Sequence, residues 1–321
     1  QKTAYEIRLS LVGSEMCIRD SMKTILTIVL MMCCIAGYAQ QDPLYSQYLN
    51  NPILLNPAYA GSNQQWQTTA GYRSQWSGFD GNPTTLNFSS HLSLVDNKVG
   101  LGFTAIQDKI GEVKNTEFNL NYSYRLEVIE NKYLYFGLST GMIRYTSDPD
   151  LLNLQIKNDP AFIYTNEFQF NTGAGLMLKS DQYMIGLSVP RLIPNRITEN
   201  GTTVQVYNQH LYVFGVFTHN FNERLMLKPA LLVKATQGAP LSLDVNINLV
   251  VDQNYTFGLL TRNLNTIGLL TQIKMKQYKL GYVFEMPTNQ SVGQRFLSHE
   301  ISLTYSLPFL DFHDRSMFSN F

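Results

Sequence analysis

The stretch NTEFNLNYSYRLEVIENKYLYFGLSTGMIRY, residues 115–145, decides the fold of this chain. In Phe118–Val128 every second residue is apolar, and the residues between them are polar or charged. A period of two over about eleven residues indicates a β-strand with one apolar and one polar face. Glu130-Asn131 then turns the chain, and a second alternating run returns over Leu134–Met142. A tilted strand of roughly ten residues is long enough to cross the hydrocarbon layer of a bilayer. Strands in soluble domains are usually shorter, about 5–6 residues.

Similar alternating runs recur along most of the chain. About fourteen can be delimited, an even number, as expected for a single-chain bacterial outer-membrane barrel. The sequence therefore predicts an all-β fold, a transmembrane antiparallel β-barrel of about 14 strands over residues 67–309. The predicted strands are Thr68–Trp76, Thr84–Leu94, Lys98–Asp108, Asn115–Val128, Lys132–Thr146, Asn166–Lys179, Gln182–Val189, Val206–Phe221, Arg224–Thr236, Leu241–Val251, Tyr255–Arg262, Thr266–Lys276, Tyr278–Met286 and Phe296–Leu307.

The alternation also predicts which side chains face lipid. We expect Leu120 and Leu243 on the lipid face, and Asn121 and Asp244 on the inner face. The pattern is poor in Tyr207–Phe217, where both faces are partly apolar. A plug packed against that part of the wall would explain this departure.

The connections between the predicted strands sort by length. Longer ones follow the odd-numbered strands, as in Lys109–Lys114, Ser147–Thr165 and Pro190–Gln205, and short ones follow the even-numbered strands. Barrels have short periplasmic turns and longer outer loops, so we expect the long loops outside and both termini in the periplasm. A secreted β-sandwich, the alternative fold, has no reason to sort its loops in this way. A tail, residues 310–321, follows the last strand and should lie on the periplasmic side.

The N-terminal residues are expected to lie outside the folded domain. Residues 1–21 resemble a translated sequencing-adapter artefact, and we expect them to lie outside the native protein. Residues 22–39 are a predicted secretory signal peptide: Lys23 is basic, Ile25–Ala36 is apolar, and cleavage is expected after Ala39. The alternative for this region is a buried N-terminal helix.

Composition excludes several classes of function. The 24 basic and 24 acidic residues balance, so there is no basic surface for nucleic acid. All three cysteines precede residue 40, which excludes a disulfide framework or a cysteine metal site in the mature chain. The five histidines are scattered, and no nucleophile elbow, phosphate loop or dinucleotide motif is present. We therefore expect no enzyme activity, no cofactor and no metal.

Three blocks near the N-terminus stand out from the strand pattern. They are QDPLYSQY at residues 41–48, LNPAYAGS at residues 55–62, and YRSQWSGFDGNPTT at residues 72–85. The prolines in residues 40–66 prevent regular strand pairing, and the tyrosines there have apolar bodies with polar tips. The segment 40–66 therefore suits a plug or a strap for the barrel, with a loosely packed periplasmic leader as the alternative.

In this order, the three blocks resemble the PorP/SprF family of the Bacteroidetes, outer-membrane proteins of the type IX secretion system and gliding machinery. The resemblance includes the signal peptide, the strand rhythm and the length, and so covers essentially the whole mature chain. One departure is Asn82 before Pro83, where a small residue such as Ala is expected. It weakens no function that we can name.

The resemblance implies a non-enzymatic component that aids secretion or surface anchoring of large cargo adhesins. It also implies links to type IX secretion components and to a periplasmic OmpA-like peptidoglycan-binding partner. Which cargo or partner is involved stays open at this stage. Residues of the family motifs are our candidates for partner docking: Asp42, Pro43, Tyr45, Gln47, Tyr48, Asn56, Pro57, Tyr59, Gly61, Arg73, Gln75, Trp76 and Gly78.

A second function remains open from the sequence. A barrel of about fourteen strands with an N-terminal plug containing Asn56-Pro57-Ala58 also resembles the FadL-type channels for hydrophobic compounds. The alternative function is therefore a passive channel for hydrophobic small molecules.

Overall fold

The fold is known from a computed structural model, which describes residues 45–147, 164–199, 202–236, 239–288 and 296–313. Within these residues the chain forms a closed antiparallel β-barrel of fourteen strands, which confirms the predicted fold class. The elements are β1 Trp66–Ser77, β2 Thr84–Leu94, β3 Val99–Ile110, β4 Val113–Ile129, β5 Lys132–Ser147, β6 Thr165–Ser180, β7 Tyr183–Val189, β8 Asn195–Glu199, β9 Thr202–Tyr207, β10 His210–Phe217, β11 His219–Asn220, β12 Leu225–Thr236, β13 Ser242–Val251, β14 Tyr255–Arg262, β15 Thr266–Met275, β16 Tyr278–Pro287 and β17 Leu297–Leu307.

Closure of the barrel follows chain order. Each barrel strand pairs with the next, β1 pairs with β17, and β10 pairs with both β7 and β12. β10 and β11 are two parts of one interrupted barrel strand, while β8 and β9 form a separate hairpin. A closed ladder satisfies every strand edge, which a sheet in a bilayer requires.

β4, with 17 residues, is the longest strand of the barrel, and its hairpin partner β5 has 16 residues, as does β6. The register of this hairpin pairs Phe118 with Met142, both on the apolar face. Asn131, at the turn, has a φ of 59°, and asparagine tolerates this left-handed conformation better than most residues. The alternating pattern of residues 115–145 thus forms the predicted hairpin.

The two faces of the wall are as the alternation predicts. Leu120 and Leu243 are 63% and 43% exposed on the outside, whereas Asn121 and Asp244 are 4% and 3% exposed on the inside. Large apolar side chains cover the outer surface of the other strands as well. An outer apolar band with a polar interior is the arrangement of a transmembrane barrel.

Three predicted boundaries are wrong. The predicted long loop Lys109–Lys114 is a tight turn at Gly111-Glu112, because β3 and β4 extend toward each other and Gly111 adopts a φ of 56°. The predicted loop Pro190–Gln205 contains β8 and most of β9. The predicted strand Val206–Phe221 begins only at His210 and is interrupted at Thr218.

Several other predictions fall outside the described residues. These are the artefact and the signal peptide in residues 1–39, most of the loop Ser147–Thr165, and the end of the tail. The first tail residues lie at the short-turn end, where His313 Nε2 is 2.9 Å from the Ser93 carbonyl and Asn97 Nδ2 donates to the Phe312 carbonyl at 2.7 Å. In the described part of the chain, no helix has the length and apolar character needed to cross a membrane.

Candidate functional site

The lumen of the barrel is occupied by residues 45–65, here called the plug. Almost all of its residues are buried, and its only regular elements are two single-turn 3-10 helices, Pro52–Leu54 and Pro57–Tyr59. A proline begins each helix, where its fixed φ fits and its missing N–H costs nothing. The irregular segment predicted from the prolines therefore folds into a compact body inside the wall.

Asn56 joins the plug to two wall strands. Its side-chain oxygen accepts a hydrogen bond from the Ala58 amide at 2.9 Å, which caps the second short helix. Its Nδ2 donates to the Leu176 carbonyl on β6 at 3.0 Å and to the Leu187 carbonyl on β7 at 3.3 Å. Asn56 is fully buried, and both its oxygen and its nitrogen have hydrogen-bond partners. These bonds fix the position of the plug relative to β6 and β7.

Glycines allow the plug backbone to approach the wall closely. A Cβ at Gly137 of β5 would collide with the backbone of Ala58. Gly61 has a φ of 68°, and a Cβ there would lie 2.8 Å from the Gly100 Cα atom. The Gly61 amide donates to Nδ1 of buried His91 at 3.1 Å, and the His91 ring makes an edge contact with the ring of Tyr59. The wall and the plug are therefore shaped to each other.

The side of the plug that faces β5–β12 is packed with apolar side chains, and we call this region the packed half. Burial raises the pKa of the Tyr48 and Tyr59 phenols, so both stay neutral. These contacts account for the apolar inward positions of β10, where Tyr212, Phe214 and Val216 belong to the same buried cluster. The buried members are Tyr45, Tyr48, Ile53, Leu55, Ala58, Tyr59 and Ala60 of the plug, and Tyr135, Met177, Met184, Tyr212, Phe214, Val216, Ala230 and Leu232 of the wall.

A buried ion cluster holds the start of the plug. Arg73 Nη2 lies 2.5 Å from Glu285 Oε2, and its Nη1 lies 3.1 Å from Glu300 Oε2. The Ser46 amide donates to Glu300 at 2.8 Å, and the Gln47 amide donates to the same carboxylate at 3.1 Å. The Ser46 hydroxyl also bonds Glu285 and accepts from Arg73 at 2.8 Å. The plug therefore supplies neutral donors that complete the solvation of two buried carboxylates.

The same ion cluster extends across the neighbouring strands. Asp244 Oδ2 lies 3.2 Å from Lys234 Nζ and 3.1 Å from Arg262 Nε, and Arg262 Nη2 reaches Glu285 at 3.7 Å. With Arg73 and Glu300, the cluster holds three cations and three carboxylates. Buried charges are tolerated when they are paired and hydrogen-bonded, so this cluster is a structural anchor with balanced charge.

A cavity of about 290 Å³ lies mainly between the plug and β12–β17, and we call it the lysine cavity. Met184 and Val216 of the packed half also line it. It reaches the short-turn end of the barrel, because the turn residues Asn254 and Gln277 line it. Among the described residues that line it there is no aspartate or glutamate. Its cationic residues are Lys228, Lys274, Lys276 and Lys279, and its amide residues are Gln47, Asn50, Asn63, Gln65, Gln67, Asn246, Asn248, Gln253, Asn254, Gln272 and Gln277.

The structure divides the predicted docking residues into two groups. Tyr45 to Gly61 lie in the plug, and Arg73 on the wall joins them through Ser46. Gln75, Trp76 and Gly78 lie at the opposite, long-loop end of β1, where the Trp76 amide donates to Ser298 Oγ at 3.1 Å. Asp42 and Pro43 lie outside the described residues.

Sequence reasoning missed the partners of Arg73 and all four cavity lysines. A signal was available, because Glu285, Glu300 and Asp244 occupy inward positions of predicted strands, where an unpaired charge would be costly. Which inward charges pair across strands could not be read from one sequence. In the described part of the chain, no group of three or more His, Cys, Asp or Glu residues is arranged to hold a metal ion.

Comparison with solved structures gives barrel proteins of low sequence identity. The monoaromatic hydrocarbon channel CymD has a TM-score of 0.50 at 10% identity, covering 86% of this chain and 96% of its own. The Pseudomonas putida toluene transporter TodX has a TM-score of 0.48 at 10% identity, covering 81% and 94%. The Acinetobacter baumannii outer membrane protein Omp33 has a TM-score of 0.44 at 9% identity, covering 77% and 100%. At these identities, the likeness to CymD supports the fold alone.

The family comparison covers most of the chain. A search of curated proteins found no match. The profile of the family described as "Type IX secretion system membrane protein PorP/SprF" matches residues 37–305, which include the plug and nearly the whole barrel. This match and the barrel fold support an outer-membrane location. The chain therefore belongs to the PorP/SprF family of type IX secretion system membrane proteins.

Proposed function

We propose that this protein is a non-enzymatic docking component of the type IX secretion and gliding machinery. In this role it aids secretion or surface anchoring of large cargo proteins and links the outer membrane to periplasmic partners such as an OmpA-like peptidoglycan-binding protein. The observation that carries the proposal, beside family membership, is the plug, which occupies the lumen with buried side chains and anchors to a buried ion cluster.

The family motifs fit this proposal in two ways. The buried residues Tyr45 to Gly61 contact the barrel of the same chain, so their proposed contribution is to fix the shape that the plug presents. Gln75, Trp76 and Gly78 lie at the long-loop rim, where their proposed role is direct contact with a partner. Phe79 beside them is 54% exposed and stacks edge-on with Phe296.

The alternative function, a passive channel for hydrophobic small molecules, has weaker support. CymD, at a TM-score of 0.50, is described as a monoaromatic hydrocarbon channel, but its 10% identity relates only the folds. The lumen of this chain offers a cavity lined by four lysines and eleven amide residues together with apolar residues such as Leu49, Met226 and Leu270. Pockets for apolar ligands have few polar groups, so the many lysines and amides count against hydrophobic uptake.

The decisive experiment loosens the plug without touching the wall. Tyr45, Tyr48 and Tyr59 are replaced together by Ala in the parent bacterium. Because the strands alone close the ladder, we expect a heat-modifiable barrel in the outer membrane. Surface display of the cargo adhesin, measured by antibody labelling of whole cells, should fall severalfold.

The matched control removes three tyrosines from the lipid face. Tyr72, Tyr122 and Tyr124 are exposed on the outside and do not touch the plug, so their replacement by Ala should leave cargo display unchanged. Normal cargo display and intact partner co-purification in the plug variant would contradict the docking function. Altered growth on a hydrophobic substrate with normal display would support the channel instead.

A further inference from the structure

The seam between β1 and β17 is the place where the barrel closes on itself. Every other pair of neighbouring barrel strands is joined by a connection of the chain, whereas β1 and β17 are the first and last strands. Ladder pairing runs along this seam from Trp66 opposite Leu307 to Ser77 opposite Leu297. Elements near the ends of a chain fray most easily. A seam without a connecting turn therefore depends on contacts at its two ends.

At the long-loop end, the ion cluster crosses the seam. Arg73 on β1 and Glu300 on β17 are direct cross-strand partners, and Nη1 of Arg73 lies 3.1 Å from Oε2 of Glu300. The amides of Ser46 and Gln47 donate to the same carboxylate at 2.8 and 3.1 Å. The ion pair and the start of the plug therefore hold the two strands together at this end.

At the short-turn end, the chain that leaves β17 crosses β1 and is fastened to β2. We call this part, residues 308–313, the strap. Nε2 of His313 lies 2.9 Å from the carbonyl oxygen of Ser93, near the end of β2. Asn97, in the turn after β2, donates from Nδ2 to the Phe312 carbonyl at 2.7 Å. The strap therefore spans the seam in the way that a connecting turn would.

His313 is the main anchor of the strap. Its side chain is buried, and its Nδ1 accepts hydrogen bonds from the amides of Phe309 at 3.0 Å and Leu310 at 3.3 Å. Because Nδ1 is an acceptor, Nε2 carries the proton and donates to the Ser93 carbonyl. One side chain thus folds the strap on itself and ties it to the wall, with both ring nitrogens satisfied.

We propose that the strap is a releasable clamp that keeps the seam shut at the short-turn end. Hydrogen bonds fasten it to β2, so it can detach without any covalent bond being broken. Detachment lets the seam open and exposes the side chains along it. Thr69 and Thr304 are each 1% exposed, and their hydroxyl oxygens lie 3.0 Å apart across the seam. The inference goes beyond the proposed docking function, which does not depend on it.

A single cysteine at the seam measures its opening. All three cysteines of the chain precede residue 40, so Thr304→Cys supplies the one thiol of the strands in barrel purified from the outer membrane. We expect His313→Ala to raise the rate at which a maleimide labels this thiol at least tenfold. His219→Ala, which removes an exposed histidine of β11, should leave the rate unchanged. An unchanged rate in His313→Ala would overturn the proposal.

Two further variants separate seam opening from a general loosening. Ser188→Cys places a thiol beneath the plug, where the Ser188 hydroxyl donates to the Leu55 carbonyl at 2.6 Å. His313→Ala should leave the labelling of this thiol within twofold, and an equal rise at both thiols would contradict a local clamp. Asn97→Gly removes the second anchor and tolerates the φ of 62° at that position. It should also speed the labelling of Thr304→Cys, even if His313→Ala fails to assemble, and no rise in Asn97→Gly would reject the strap.

Discussion

The two sides of the plug meet the same barrel in different ways. Toward β5–β12, the packed half fits apolar side chains and glycine-backed contacts together, as at Ala58 over Gly137. Toward β12–β17, the lysine cavity leaves about 290 Å³ between polar side chains. Dense packing gives rigidity because small changes in volume are felt, whereas a polar cavity can admit a ligand. The comparison indicates that one side holds the plug in place and the other leaves a cavity beside it.

The largest effect should come from removing a buried ring in the packed half. Tyr59→Ala deletes a side chain that is 2% exposed, and aromatic-to-alanine changes of this kind cost about 3–5 kcal/mol. Leu49→Ala is the comparison, because Leu49 is only half-buried at the edge of the packed half, where it borders the lysine cavity. The temperature at which the barrel loses heat-modifiable mobility should fall clearly more for Tyr59→Ala. Similar falls for both would mean that the packed half is as tightly packed at its edge as at its centre.

Smaller losses of stability are expected when either of two glycines that face the plug from opposite sides is replaced by Ala, and the two losses should differ. In Gly137→Ala the new methyl meets the Ala58 backbone, which cannot move without displacing the plug. Overpacking of this kind costs about 1–3 kcal/mol. In Gly281→Ala the methyl meets side-chain ends, Gln47 Oε1 and Ser302 Oγ, so the expected cost is about one hydrogen bond, roughly 0.5–1.5 kcal/mol. Denaturant midpoints in detergent measure both, and a reversed order would show that the plug is looser on the β5 side.

The third prediction concerns topology. Single-cysteine variants should leave stability unchanged, and their labelling shows which compartment the lysine cavity faces. Residues 40–321 contain no cysteine, so single cysteines report topology cleanly. Asn265→Cys lies on the long-loop side and Glu130→Cys on the short-turn side, both exposed. A membrane-impermeant maleimide should label Asn265→Cys but not Glu130→Cys in whole cells. The opposite labelling would mean that the lysine cavity opens toward the exterior.

Much of the wall could be predicted because the alternation of apolar and polar residues within each strand indicates which residues face outward and which face inward. The predicted strands Thr84–Leu94 and Tyr255–Arg262 coincide with β2 and β14. Errors arose where local signals conflict or went unused. The Asn200-Gly201 pair is a strong hairpin signal, whereas the predicted loop Pro190–Gln205 contains β8 and most of β9. The break near Thr218 has no counterpart in the alternation, since it interrupts a run that reads as one strand.

The sequence by itself determined the barrel, its strand number, the lipid-facing residues and an irregular segment before the first strand. It did so because a period of two and turn residues act locally, whatever lies across the lumen. The tertiary structure decided that residues 45–65 fill the lumen. It also paired Arg73 with Glu285 and Glu300 and gathered lysines from β12, β15 and β16 around one cavity. These residues lie far apart in the chain, and only barrel closure sets which inward side chains face one another.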